Sequence, residues 1–267
     1  MIKVGLVGCG VIGTEIAKAI DEKIPEMQLV AICDRNKFKQ DRLKQSLNVK
    51  PETMSLENLI EEADLIIEAA SPTIAGELAR KVIGRGKDIM IMSVGGMVDY
   101  LDLFDEARKK GCRIYLPSGA VIGLDGIKAA REARIDSVVL TTSKPPSGLQ
   151  GAPYILEKGI DLGKIKERTV IFEGSCREAV KAFPKNINVA ATLSFAGIGV
   201  DKTRIRVIAD PSLKRNVHHI VVRGDFGKME MLVENVPSPF NPKTSYLAAL
   251  SAIATLRGIA DTVRVGT

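Results

Sequence analysis

The chain lacks tryptophan altogether and carries only four tyrosines and seven phenylalanines in 267 residues. It is therefore poor in the aromatic surface on which unpaired bases stack. Its formal charge of +6 is mild and spread along the chain, and no nucleic-acid motif is present, so a nucleic-acid partner is not expected. Cysteine is scarce: Cys9, Cys33, Cys112 and Cys176 stand far apart with no C-x-x-C pair, which argues against a disulfide framework and against a zinc site. No metal is expected. No apolar run approaches the length of a membrane span, and the first strand lacks the basic flank and cleavage site of a signal peptide. The expectation is a cytoplasmic protein with no membrane contact. Apolar residues make up 45% and charged residues 26%, the profile of an ordinary globular protein with room for one large domain or two moderate ones.

What is present begins at once. Residues 2–7 read as a short buried strand, followed by Gly8-Cys9-Gly10-Val11-Ile12-Gly13 and a helical stretch over 14–20. This is G-x-G-x-x-G in its confirming context, strand before and helix after. Gly8 permits the tight turn, Gly10 leaves the backbone open to a pyrophosphate, and Gly13 lets helix and strand pack closely. The helix start adds unpaired N–H groups and a positive dipole end. A second apolar run, 29–33, ends in Asp34, placed to accept hydrogen bonds from the adenosine ribose. Its charge favours NAD, since it would repel a 2′-phosphate. Arg35 beside it could neutralise one, so NADP stays open.

Strand and helix alternate to about residue 116, which predicts a Rossmann-type parallel sheet with helices on both faces. Ligands of such sheets bind beyond the carboxyl ends of the strands. That rule selects the loops Gly8–Gly13, Ala70-Ser71-Pro72, Ser93-Val94-Gly95-Gly96 and Pro117-Ser118-Gly119-Ala120, all of small residues. The pattern then changes to β-rich runs at 137–143, 168–173, 203–209, 218–223 and 228–233, with a small-residue helix over 188–196. The expected architecture is α/β: a dinucleotide-binding domain over 1–120, and a second α+β domain with a mainly antiparallel sheet over 121–240. A helix over 242–259, within the segment 241–267, is expected to pack back on the first domain.

The only two histidines are adjacent, His218 and His219. Neighbours on a strand point to opposite faces, so at most one faces a given cleft. Histidine titrating near neutral pH suits acid–base work; the plain alternative is a pair at a loop edge. Asn186 and Asn188 precede an Ala-rich helix and read either as an N-cap or as amides that bind a nicotinamide carboxamide or a substrate carboxylate. Lys144, set before Pro145-Pro146, is either a carboxylate anchor or a solvated loop lysine.

Taken in order, several motifs resemble L-aspartate dehydrogenases over essentially the whole chain. They are the Gly8–Gly13 turn, Ser93-Val94-Gly95, Pro117-Ser118-Gly119-Ala120 with Gly123-Leu124-Asp125, and Lys144-Pro145-Pro146. Phe183-Pro184 with Asn186-x-Asn188-Val189-Ala190-Ala191, and Asn216-x-His218, complete the set. The resemblance implies NAD(P)-dependent oxidation of L-aspartate to iminosuccinate, then hydrolysis to oxaloacetate and ammonia. It implies a homodimer that feeds NAD biosynthesis through iminoaspartate, with quinolinate synthase as the pathway partner and the second domain carrying dimerisation. It maps the catalytic histidine to His218 and the cofactor-contacting alanine and asparagine to Ala120 and Asn188. The cofactor set is then Gly8, Gly10, Val11, Ile12, Gly13, Asp34, Arg35, Ala70, Ser71, Pro72, Ser93, Val94, Ala120 and Asn188. Lys144, Asn186, Asn188 and His218 are expected at the substrate, with Lys202 a further cation for its carboxylates. Rival readings are a dihydrodipicolinate reductase, a sugar dehydrogenase or a dinucleotide sensor without turnover. The long His-rich motif of the first is absent, and Ile91-Met92-Ser93-Val94-Gly95 lacks the Glu-Lys-Pro lysine of the second.

Overall fold

The structure, a computed structural model, describes residues 1–184, 188–239, 241–263 and 265–266. Two units emerge: Met1–Pro117 with Ala249–Arg264, and Ser118–Ala248 with Val265–Thr267.

The first unit opens with β1 (Ile2–Val7), α1 (Val11–Lys23), β2 (Met27–Cys33), α2 (Lys37–Gln45), β3 (Glu52–Thr53) and α3 (Leu56–Glu62). It continues with β4 (Leu65–Glu68), α4 (Pro72–Gly84), β5 (Asp88–Ile91), α5 (Asp102–Lys110) and β6 (Ile114–Tyr115). All six strands are parallel in the order β3-β2-β1-β4-β5-β6. This is the doubly wound order whose switch point falls between β1 and β4. Strand β4 is buried at every position, as a central parallel strand covered on both faces must be. Local chemistry starts the helices: Asn36 caps α2 and Ser55 caps α3, each accepting the backbone N–H of the helix's third residue, Lys39 and Asn58.

The second unit holds α6 (Leu124–Ala130), β7 (Ile135–Lys144), α7 (Pro153–Glu157), β8 (Thr169–Ser175), α8 (Cys176–Ala182) and α9 (Asn188–Ala196). Then come β9 (Arg204–Ala209), β10 (Asn216–Gly224), β11 (Gly227–Asn235) and the short β12 (Pro237–Ser238) with β13 (Asn241–Ser245). Its five-stranded sheet runs β11-β10-β7-β9-β8, antiparallel throughout except for the β7–β9 pair. The mainly antiparallel second sheet is therefore as expected. One face is covered by helices. A Cβ built on Gly123 or Gly126 of the α6 segment would meet the sulfurs of Met231 and Met229, and one on Gly197, after α9, would meet Val138 and Ile127. That face carries Val138 and Leu140 of β7 with Ile220 and Val222 of β10, all fully buried. Tyr154, Phe172 and Phe183 pack edge to face, with centroids 5.4 and 5.7 Å from Phe172.

The last helix, α10 (Tyr246–Ala260), starts four residues later than its apolar pattern suggests, because 241–245 pairs with β12 as a strand. Ala252 and Leu256 join Leu6, Ile16, Leu29 and Ile67 in the core cluster of the first unit. At about 1.5–3 kcal/mol for each large aliphatic side chain buried, this helix is part of that unit's stability.

Candidate active site

At the switch point of the first unit the glycine turn is pressed against its neighbour. Gly8 has φ +104°, and a Cβ there would lie 2.5 Å from the Ala69 carbonyl oxygen. A Cβ on Gly13 would lie 2.1 Å from the Gly8 carbonyl oxygen, so only glycine lets α1 start this close to β1. Above Gly10 nothing lies within 4 Å. The N-terminus of α1, thirteen residues long, has no side-chain cap and no acid in its first turn. An open glycine at an uncapped helix start is the arrangement that receives a pyrophosphate. Asp34 stands at the end of β2, with Oδ2 accepting the Cys9 N–H at 2.8 Å and Oδ1 the Asn36 N–H at 2.8 Å. These bonds fix its carboxylate beside the turn. Arg35 next to it is exposed.

The loops after β4 and β5 meet on Glu68, which lies outside every motif named above. Its carboxylate is fully buried. Oε1 accepts the Ala70 N–H at 2.8 Å, the Ser71 N–H at 3.0 Å and the Ser93 hydroxyl at 3.0 Å, while Oε2 accepts the Ser93 N–H at 2.8 Å. Burial pushes its pKa above the ordinary carboxylate value, opposed by these four donors. All four partners donate, so the shell is built for the anion. One carboxylate thus clamps Ala70, Ser71 and Ser93, three residues expected at the cofactor. An isolated acid in an otherwise apolar buried strand was the signal for it, because a buried charge demands donors.

The second unit's buried sheet face changes character at one end. Beyond Leu140 and Ile220, β7 places Thr142 and Lys144, and β10 places His218 and Asn216. His218 is 3% exposed and pairs directly with Thr142, whose Oγ1 lies 3.1 Å from its Nδ1. Burial, with a smaller repulsion from Lys144, lowers the pKa of His218 to about 3. The expectation of a histidine titrating near neutral pH is thereby corrected: a dry site beside a cation keeps the ring neutral. Lys144 is 6% exposed, not a solvated loop lysine, and burial lowers its pKa to about 8. Asn235 closes the patch on β11, opposite Asn216, and its Nδ2 donates to the Ala120 carbonyl at 3.0 Å.

Other candidates fall elsewhere. His219 points to the opposite face and bonds Glu230 Oε1 through Nε2 at 2.8 Å on the surface. Lys202 is exposed before β9, at the far end of the strand whose Ala209 pairs with Lys144, about 20 Å along the sheet. It does not join His218. Asn186 lies outside the described residues. Asn188 opens α9, its carbonyl accepting the Thr192 hydroxyl at 3.2 Å. Among the described residues no group of His, Cys, Asp and Glu could hold a metal ion, and no helix is long and apolar enough to cross a membrane.

A family model described as aspartate dehydrogenase, C-terminal, matches residues 125–259. One described as homoserine dehydrogenase, NAD binding domain, matches residues 8–117. The L-aspartate dehydrogenase of Methanosarcina mazei is 52% identical over 271 residues, covering 100% of both chains. The chain belongs to the L-aspartate dehydrogenase family. The family member from Bradyrhizobium diazoefficiens is 42% identical, covering 100% of this chain and 94% of that one. The crystal structure of aspartate dehydrogenase from Thermotoga maritima superposes with a TM-score of 0.76 at 25% identity, with full coverage of both chains. The scyllo-inositol dehydrogenase of Lactobacillus casei, solved with NAD(H) and scyllo-inositol, shares the fold at a TM-score of 0.57 and 15% identity. As an L-aspartate dehydrogenase family member, the chain is an oxidoreductase with an NAD-binding first unit.

Proposed function

We propose that this protein oxidises L-aspartate with NAD as hydride acceptor, forming iminosuccinate that water converts to oxaloacetate and ammonia. The observation that carries the reading is the buried polar end of the second sheet, where neutral His218 sits with Lys144 in a chain 52% identical to an L-aspartate dehydrogenase. Gly8, Gly10, Val11, Ile12 and Gly13 receive the pyrophosphate and Asp34 the ribose, which favours NAD over NADP. Ala70, Ser71, Pro72, Ser93 and Val94 border the cofactor, and Ala120 and Asn188 fix its carboxamide. When bound, the nicotinamide supplies the hydride acceptor.

The chain's own residues then manage charge and protons. Lys144 pairs with a substrate carboxylate. The ammonium of aspartate must become a neutral amine before the α-carbon can release hydride. With Nδ1–H donating to Thr142 Oγ1, His218 Nε2 carries the lone pair that takes this proton. The substrate's carboxylates offset the repulsion from Lys144 and raise the proton affinity of the ring. Loss of hydride leaves a protonated imine, to which water adds with loss of a proton to solvent; the imidazolium then protonates the amino group, which leaves as ammonia while the carbinol O–H returns its proton to the ring.

We further propose a cytoplasmic homodimer whose iminosuccinate enters NAD biosynthesis through quinolinate synthase. Following NADH formation with L-aspartate against a panel of amino acids and sugars, with NAD and NADP in turn, tests the activity. No aspartate-dependent signal with either cofactor refutes it.

A further inference from the structure

The polar end of the buried sheet holds one feature that the scheme above leaves unused. Asn235 is 3% exposed. Its Nδ2 donates to a backbone carbonyl, Ala120 O, which can only accept, so the amide cannot be flipped and Oδ1 is its other end. That Oδ1 is the sole buried side-chain polar atom without a hydrogen-bond partner among the described residues. A carbonyl oxygen taken out of water with no donor is destabilising, and native interiors rarely keep one. It is therefore suited to a donor that arrives with a ligand.

Register says where that donor comes from. Asn235 pairs with Asn216, and Ser143 pairs with Val217, so Lys144, Asn216 and Asn235 fall on one line across β7, β10 and β11. Thr142, His218 and Val233 form the adjacent line. The lines are two residues apart, about 7 Å, on the same face of the sheet. A cation, a neutral imidazole and an unpartnered acceptor thus share one small area. An α-amino acid presents the complementary groups within a few bonds: a carboxylate and an N–H donor.

We propose that Asn235 is a substrate-contacting residue whose Oδ1 accepts an N–H from the substrate's amino group. This rests on the amino-acid dehydrogenase reading above and extends it. The acceptor holds the nitrogen while His218 removes its proton, and keeps a partner afterwards, because the imine still carries an N–H. The contact selects ligands with an amino group over dicarboxylates without one.

The test uses the full-length enzyme with NADH bound, titrated with L-aspartate and with succinate, which keeps both carboxylates and lacks the nitrogen. Binding is read from NADH fluorescence and needs no turnover. Asn235→Ala is expected to weaken L-aspartate binding about ten- to a hundredfold with succinate binding unchanged. Asn235→Asp keeps an acceptor but cannot donate to Ala120, so it retains the preference for L-aspartate. Equal weakening of both ligands, loss of the preference in both variants alike, or unchanged binding overturns the proposal. Weakened NADH binding alone assigns the acceptor to the cofactor's carboxamide and also overturns it. A crystal structure of the unaltered enzyme with NADH and L-aspartate decides the matter even if the variants do not fold. The amino nitrogen is expected within hydrogen-bond distance of Asn235 Oδ1, and a separation too long for one refutes the contact. If unaltered enzyme neither binds nor turns over L-aspartate, the amino-acid reading and this proposal fall together. If it turns over L-aspartate without the predicted selectivity, only this proposal fails.

Discussion

Replacing His218 with glutamine should flatten part of the protein's acid sensitivity, by an amount the structure sets. Burial holds His218 at a pKa of about 3 where an ordinary histidine has 6.5. Between those values the unfolded chain binds a proton that the folded chain refuses, so stability present above about pH 6.5 is lost as pH falls towards 3. At about 1.4 kcal/mol per pKa unit, going from about pH 7.5 to about pH 5 costs about 2 kcal/mol through this one ring. Glutamine fills similar space without titrating and removes that share. Lys144, with its pKa of about 8, stays largely protonated over this window in both states and drops out of the comparison. The carboxylates cancel between the two proteins. Urea unfolding followed by circular dichroism at both pH values, for both proteins, gives the double difference. An equal pH dependence in the two would mean that His218 is hydrated and titrates normally, and the buried neutral base would have to be abandoned.

Three further outcomes follow from the site. His218→Ala should lower kcat by roughly a hundredfold or more while the dissociation constant of NADH is unchanged; near-normal kcat refutes the acid–base role. Succinate affinity should fall as pH rises through about 8, where Lys144 gives up its proton, and Lys144→Met should bind succinate weakly with no pH dependence in that range; a parallel decline in the variant assigns the titration elsewhere. Glu68→Ala strands four donors at the carboxyl ends of β4 and β5. It should weaken NADH binding by about tenfold and lower Tm by about ten degrees or more, at about 1–3 kcal/mol for each unsatisfied group left buried; unaltered NADH affinity would show that the clamp does not order the cofactor loops.

The dinucleotide half was readable because its signals are local. A glycine turn between strand and helix, and apolar runs joined by small-residue loops, need only a few neighbouring residues to be recognised. The second sheet was readable in type, since alternation marks antiparallel strands. Of the site inside it, motifs marked His218 and Lys144 but not what surrounds them. Thr142, His218 and Asn235 lie far apart in sequence and meet only through the register of three strands, which no short window contains. The same limit hid the state of His218, whose neutrality comes from burial and from Lys144 across the sheet. Glu68 shows the converse case: its sequence context, an acid within Leu65–Ala70, was visible, but its four donors lie on two loops. Residues 242–245 read as helix because they lead without a break into the apolar run that follows, and pairing of 241–245 with β12 overrode it.

The return of α10 to the first unit gives the chain a synthesis problem. Ala252 and Leu256 complete a core begun by β1 and α1, yet the ribosome makes residues 118–248 in between. Domains emerging from a ribosome generally fold in order from the N-terminus. Here the order is reversed, since residues 118–248, the bulk of the second unit, are made before α10 and can close first, while the earlier unit waits for that helix. Until then that core lacks one of its helices, and a truncation that removes α10 leaves every glycine of the turn in place but an unfinished core beneath it. Cofactor affinity is thus tied to a helix that lies far along the chain from the glycine turn it supports.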